Sequence, residues 1–224
     1  MNTKTKAPIS LVIDGSGSAV FAGLLDNHDH WLAKIDRAGA PLEELFPAVE
    51  EALKESNRTL ADISSYIYCE GPGSVLGLRL CAMAIETWTR LYPQSAQLFK
   101  YNSLRLTALV LLHAHPQLKD ALIVADWKKG AWNAVFIKDG VVGSTEVIDD
   151  AGLAAWDGAL YHLPQRKGWQ GPPSNSQTLD YNPAIISEIR HHPALLQSSE
   201  DVELYSSGIN TFQKWTPTRH RALA

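Results

Sequence analysis

Two glycine-bearing turns hold the residues whose types and spacing best suit chemistry. Asp14-Gly15-Ser16-Gly17 ends a short apolar run, Ile9 to Ile13, and Glu70-Gly71-Pro72-Gly73-Ser74 ends another, Ser65 to Cys69. Glycine permits tight turns, and the free amides at a helix start attract anions. Asp14, Ser16, Gly71, Gly73 and Ser74 are therefore the candidate anion or phosphate turn, with Ser74 placed to cap the following helix. Asp14 alone cannot hold Mg²⁺ and a triphosphate, because magnesium sites combine carboxylates and phosphates in a fixed octahedron.

Other reactive side chains carry less. His113-Ala114-His115 and His191-His192 come with no Cys, Asp or Glu at zinc-type spacing, so no metal site is expected. Gly15-Ser16-Gly17 lacks the five-residue spacing and the immediate helix of a hydrolase nucleophile elbow. Cys69 and Cys81 have no CxxC relation, which points to free thiols in a reducing, cytoplasmic setting. Trp127, Lys128, Lys129 and Trp132 set cations beside aromatics, as do Arg166, Lys167 and Trp169. Lys214, Trp215, Arg219, His220 and Arg221 do so again. Such groups can stack on bases, but surface cation–π pairing and ordinary packing account for them. An indirect or weak tRNA contact is the most they support.

The elements that must position these turns are legible from periodicity. Ile9–Ile13, Ala19–Leu25 and Trp31–Ile35 form an antiparallel meander, their connections being too short for crossover helices. Pro41 opens a helix in which Leu42, Leu45, Phe46, Val49 and Leu53 share one stripe opposite Glu43, Glu50, Glu51 and Lys54. Then come a strand at Ser65–Cys69, a helix to about Tyr92, a strand at Gln97–Tyr101, and a helix capped by Asn102 or Ser103. Three strands follow, at Ala121–Asp126, Ala131–Lys138 and Val141–Ile148, the last two joined by an Asp-Gly hairpin signal. Past Asp150 the pattern weakens: a loop over Gly168–Ser176, a helix over Asn182–Arg190 and a short strand over Val202–Tyr205.

The helix after Ser74 is apolar on two arcs. Leu76, Leu80, Met83, Ala84, Thr87 and Leu91 occupy one, and Leu78, Cys81, Ala82, Ile85, Trp88 and Tyr92 the other. One arc covers the helix's own sheet, and the other is expected to leave apolar surface for a second protein.

With 224 residues, 45% hydrophobic and 20% charged, the chain can bury a core without staples, which excludes whole-chain disorder. A net charge of −4 argues against a protein that grips nucleic acid on a broad basic face. No apolar run reaches the ~18 residues of a spanning helix, so no membrane role is expected.

The succession of a strand, Gly71-Pro72-Gly73-Ser74, Gly77-Leu78-Arg79 and an apolar helix resembles the TsaB (YeaZ) family. That family supplies a partner subunit of the bacterial machinery that makes threonylcarbamoyladenosine on tRNA. Its members usually carry Gly-Pro-Gly-Ser-Phe-Thr-Gly-Leu-Arg-Ile and open with a strand ending Asp-Thr-Ser. Here Asp14-Gly15-Ser16, Pro41–Pro47 and Gly71–Leu80 stand in the corresponding places. Val75-Leu76 replaces Phe-Thr and Gly15 replaces Thr, so the chain reads as a divergent member.

The resemblance implies an α/β, two-lobed actin/Hsp70/sugar-kinase-like fold. A mixed sheet flanked by helices would fill an N-terminal lobe (1–102), with a smaller lobe over 103–224. It also implies a catalytically silent subunit, without cofactor, that binds a TsaD-like catalytic paralogue through its first two helices. The partner-binding residues expected are Leu42, Leu45, Phe46, Val49, Leu53, Leu76, Arg79, Leu80, Met83, Glu86 and Thr87. The same helices could pair two copies as a homodimer. The alternatives are a small ATPase or kinase of the same superfamily and a glycoprotease-like hydrolase. Absence of any Gly-Gly dipeptide counts against the first, and absence of a paired nucleophile and base against the second.

Overall fold

A computed structural model describes residues 7–92, 96–164 and 171–206. The first meander forms as its patterning requires. Strand β1 (Ser10–Asp14) pairs antiparallel with β2 (Ala19–Leu25), and β2 with β3 (Trp31–Ala38). Helix α1 (Pro41–Glu55) starts on proline, where a missing N–H costs nothing. It returns the chain to β4 (Ser65–Gly71), parallel to β1. Helix α2 (Val75–Leu91) then leads to β5 (Gln97–Asn102), parallel to β4. The Ser74 hydroxyl caps α2 by accepting from the Gly77 amide at 3.3 Å.

Helix α3 (Ser103–Ala114) is capped by Asn102, whose carbonyl accepts from the Leu104 and Arg105 amides. The second sheet is built on β6 (Ala121–Lys128), β7 (Ala131–Lys138) and β8 (Val141–Asp149), antiparallel in turn. After the short α4 (Asp150–Ala154), β9 (Ala159–His162) pairs parallel with β6, and β10 (Gln177–Thr178) with β9. A 3₁₀ turn (Pro183–Ile185), α5 (Ile186–Ile189) and β11 (Gln197–Ser199) complete the described chain. Strand order is β11-β5-β4-β1-β2-β3 in one sheet and β10-β9-β6-β7-β8 in the other.

Residues beyond 180 thus return to the first sheet, where β11 pairs antiparallel with β5. Ile186, Ile189 and Leu195 are buried there with Val12, Phe21 and Leu25. Two late elements differ from expectation. The helix expected over Asn182–Arg190 is a 3₁₀ turn followed by one helical turn, with Pro183 at the start. Val202–Tyr205 is not a strand. Its backbone is bound at two separate points: the Tyr205 amide donates to Glu70 O at 2.8 Å, and the Glu203 amide to the Tyr68 hydroxyl at 2.9 Å.

Helix α3 is the member common to both halves. Leu106 and Leu109 pack in the cluster of the first sheet, while Leu104, Ala108 and Leu111 pack against Ile123, Val135 and Ile137 of the second. Helices α1 and α2 cover the opposite face of the first sheet, where Leu45, Val49, Ile85 and Trp88 meet Leu11, Ile13 and Tyr66. Arg37 on β3 reaches across to α1, 2.5 Å from Glu44 and 2.9 Å from Glu51. Arg166, Lys167, Trp169, Lys214, Trp215, Arg219, His220 and Arg221 lie outside the described residues.

Candidate functional site

The two glycine turns meet, as β1 and β4 are adjacent parallel strands that end together. The Ser74 amide donates to Ser16 O at 2.8 Å. A Cβ placed on Gly73 would lie 2.4 Å from the Ser16 Cβ, and one on Gly77 only 1.9 Å from Gly15 O. The two candidate anion turns are brought together, with Gly73 and Gly77 packed against Ser16 and Gly15, while Val75 and Leu76 at the start of α2 stay exposed.

Asp14 is 1% exposed, and its carboxylate is surrounded by donors from the chain. Oδ1 accepts from the Ser16 amide at 2.6 Å, and Oδ2 from the hydroxyls of Tyr101 and Tyr181, the latter at 2.5 Å. Charge-assisted bonds of this kind are about twice as strong as neutral ones. The carboxylate is a structural acceptor in a closed cluster. Tyr101 and Tyr181 were not among the expected site residues, because neither falls in a motif and they join Asp14 from 87 and 167 positions away.

Beside this cluster a cleft of about 740 Å³, open to solvent, runs between the sheets. Among the described residues lining it are Asp14, Asp36 and Asp126, with Ser16, Phe21, Leu163 and Tyr181, and no Lys, Arg or His. Burial pushes the Asp36 carboxyl upward, and the charge of Lys34 draws it back. A wall with acids and no cation is a poor host for phosphate. Among the described residues no three His, Cys, Asp or Glu are grouped to hold a metal.

The expected partner face divides by helix geometry. On α1, Leu45 and Val49 are buried in the protein's own core, so they are not open to a partner; Leu42 (64% exposed) and Phe46 (43%) are. Leu53 is half-buried. On α2, Leu78, Cys81, Ile85 and Trp88 point inward. Leu76 (57%), Met83 (63%) and Leu91 (66%) are exposed, with Arg79, Glu86 and Thr87 beside them and Leu80 half-buried. The two helices adjoin, for Phe46 meets Trp88 edge-on with ring centroids 6.3 Å apart. Exposed apolar side chains therefore stand on both of these adjoining helices.

The remaining candidates resolve into structure. Lys128 sits 4.3 Å over the Trp127 ring, and Trp132 is buried with its indole N–H on Asp150 at 3.0 Å. His113 and His115 are exposed at a helix end, while His191 faces Asp29 at 2.7 Å. Among the described residues no helix is long and apolar enough to cross a membrane.

Three buried tyrosines, with half-buried Tyr181, give a test of the packing. Burial raises Tyr66 to about 12, aided by nearby Tyr92, and also raises Tyr68. Tyr101 and Tyr181 rise well above the ordinary value through burial and then the charge of Asp14. A folded-state value above the unfolded one means stability is fully present below pH ~10 and is lost as pH climbs beyond it. For Tyr66 that window is from about 10 to about 12. Tyrosinate absorbance should show Tyr66, Tyr101 and Tyr181 still protonated at pH ~10.5, with Tyr68 also titrating above the ordinary tyrosine range. Gradual ionisation of all seven tyrosines near pH 10 in folded protein would contradict this burial.

Comparison with known proteins bears on the same region. Residues 36–92 match the family model of TsaD, tRNA N6-adenosine threonylcarbamoyltransferase. That segment contains α1, β4 and α2. The structure resembles YeaZ from Pseudomonas aeruginosa with a TM-score of 0.55 and 17% identity, over 70% of this chain and 75% of that one. It also resembles an uncharacterized protein with similarity to peptidase YeaZ from Pseudomonas aeruginosa, with a TM-score of 0.53, 17% identity and the same shares covered. No curated protein matches the chain. These likenesses show the fold: two mixed sheets flanked by helices, as expected from the YeaZ resemblance.

Proposed function

We propose that this chain is a non-catalytic partner subunit in threonylcarbamoyladenosine modification of tRNA, docking a TsaD-like catalytic paralogue through α1 and α2. The observation that carries the proposal is the exposure of Leu42, Phe46, Leu76, Met83 and Leu91 on these adjoining helices. All of them lie within the segment that matches the TsaD family model. The lobes of this reading divide at about residue 102, with α1 and α2 in the first, and the returning segment beyond 180 joins that first lobe.

The same geometry supports reading the subunit as non-catalytic. The Asp14 carboxylate is already bonded by three donors of the chain, and the adjoining cleft offers phosphate no cation among its described lining. The small-ATPase and hydrolase alternatives each need a reacting constellation, and neither the cleft nor the turns supply one. Any tRNA contact is indirect, made in the assembled complex.

Met83→Glu and Leu76→Glu, combined, test the surface. Both side chains are largely exposed, so the melting temperature should be unchanged, and affinity for a TsaD-like paralogue in titration calorimetry should drop about 100-fold or ~3 kcal/mol. Affinity within twofold of the parent would remove α2 from the interface. Without the paralogue, two copies would meet on these helices as a symmetric four-helix contact. Sedimentation of the parent should then show a dimer that the double variant abolishes. Depletion in cells, followed by mass spectrometry of tRNA nucleosides, tests the pathway: unchanged threonylcarbamoyladenosine would refute it.

A further inference from the structure

The segment after β10 passes from one sheet to the other. At its start, Thr178 and Leu179 are tied to the second sheet: the Thr178 hydroxyl lies 2.9 Å from His162 Nε2, and the Leu179 amide donates to His162 O at 2.9 Å. At its end, Ile186 and Ile189 are buried against the first sheet. Between these anchors Tyr181 reaches down and donates its hydroxyl to Asp14 Oδ2 at 2.5 Å, with the Ser16 hydroxyl 3.2 Å away.

Tyr101 bonds the same oxygen but differs in placement. It is a buried member of β5, paired there with Cys69 of β4. Tyr181 belongs to no strand or helix, is only half-buried, and forms part of the cleft wall. Asp14 therefore has one hydroxyl donor fixed in the sheet and one on a crossing segment, which the Trp31 indole N–H also holds through Ala184 O at 3.1 Å. Behind the Tyr181 hydroxyl, 3.7 Å away, lies the thiol of Cys69, which is buried on β4.

We propose that Tyr181 is a latch that fastens the crossing segment 180–185, between β10 and Ile186, to the first sheet, so that its release from Asp14 opens the inter-sheet cleft without unfolding either sheet. This inference is independent of the partner role. It uses a contact on the sheet face opposite α1 and α2. Local openings of this kind cost less than global unfolding and are visible by amide exchange.

The test compares Tyr181→Phe with Tyr101→Phe in the full chain, since each removes one hydroxyl from the same carboxylate oxygen. In Tyr181→Phe, amide exchange across 180–185 should rise about tenfold or more, as loss of a bond to a charged acceptor allows, while β1, β4, β6, β7 and β10 keep their protection. In Tyr101→Phe, exchange across 180–185 should remain at the parent rate. A second readout is thiol labelling with N-ethylmaleimide, which should find Cys69 about tenfold more reactive in Tyr181→Phe while Cys81, on the buried face of α2, is unchanged. Parent-like exchange and labelling in Tyr181→Phe would overturn the latch. So would equal opening by Tyr101→Phe, or faster exchange throughout both sheets in Tyr181→Phe.

Discussion

Gly77→Ala should destabilise the protein by about 3 kcal/mol, although alanine is the better helix former by about 0.8–1 kcal/mol. The cause is the contact between α2 and the first turn. An added Cβ would lie 1.9 Å from Gly15 O and 2.8 Å from Gly15 C, both backbone atoms that cannot rotate aside. Relief requires α2 to move away from β1, which would stretch the 2.8 Å bond from the Ser74 amide to Ser16 O. Overpacking ordinarily costs about 1–3 kcal/mol, and a clash between two backbones belongs at the upper end. Gly17→Ala is the control: its Cβ would find Tyr181 at 3.6 Å, an ordinary contact, so stability should hold within about 0.5 kcal/mol. Urea unfolding of both variants decides the matter. Equal midpoints would mean that the two turns do not touch as described.

Asp14→Ala should cost a similar amount, again about 3 kcal/mol, by a different route. Removing the carboxylate strands the Ser16 amide and the Tyr101 and Tyr181 hydroxyls in a buried site. Each unsatisfied buried group costs about 1–3 kcal/mol, reduced where a hydroxyl can turn to another acceptor. Against a total of about 5–15 kcal/mol for a typical domain, that loss should lower the melting temperature by several degrees. Asp14→Asn should recover part of the stability, since its one carbonyl oxygen still accepts. If Asp14→Ala melts with the parent, the carboxylate is not the centre of a bonded cluster, and the case for a sealed turn fails with it.

The strand–helix order of the first half was legible because turn chemistry and apolar period agree there. Ser74 before an apolar helix and Asp-Gly between two strands each have one physical meaning, and both occur as expected. Contacts across long separations were not legible. Nothing near Tyr181 indicates that its hydroxyl will meet Asp14, since a single tyrosine in a loop carries no period. The α1 stripe shows a subtler failure. Periodicity identifies which residues share an arc but not how deeply the helix sits, so Leu45 and Val49 are core while Leu42 and Phe46 remain open. Likewise α2 and α3 both read as strongly apolar helices. Only the arrangement of the sheets distinguishes them, since α3 is enclosed between two layers and α2 has one.

The pairing of β11 with β5 has a bearing on biosynthesis. Residues 97–102 leave the ribosome well before 197–199, so a nascent chain presents β5 as a bare edge in the interim. At roughly 5–20 residues per second, that interval lasts about 5–20 s. The first layer can collapse during translation, but its outermost backbone groups wait for a strand made about 100 residues later.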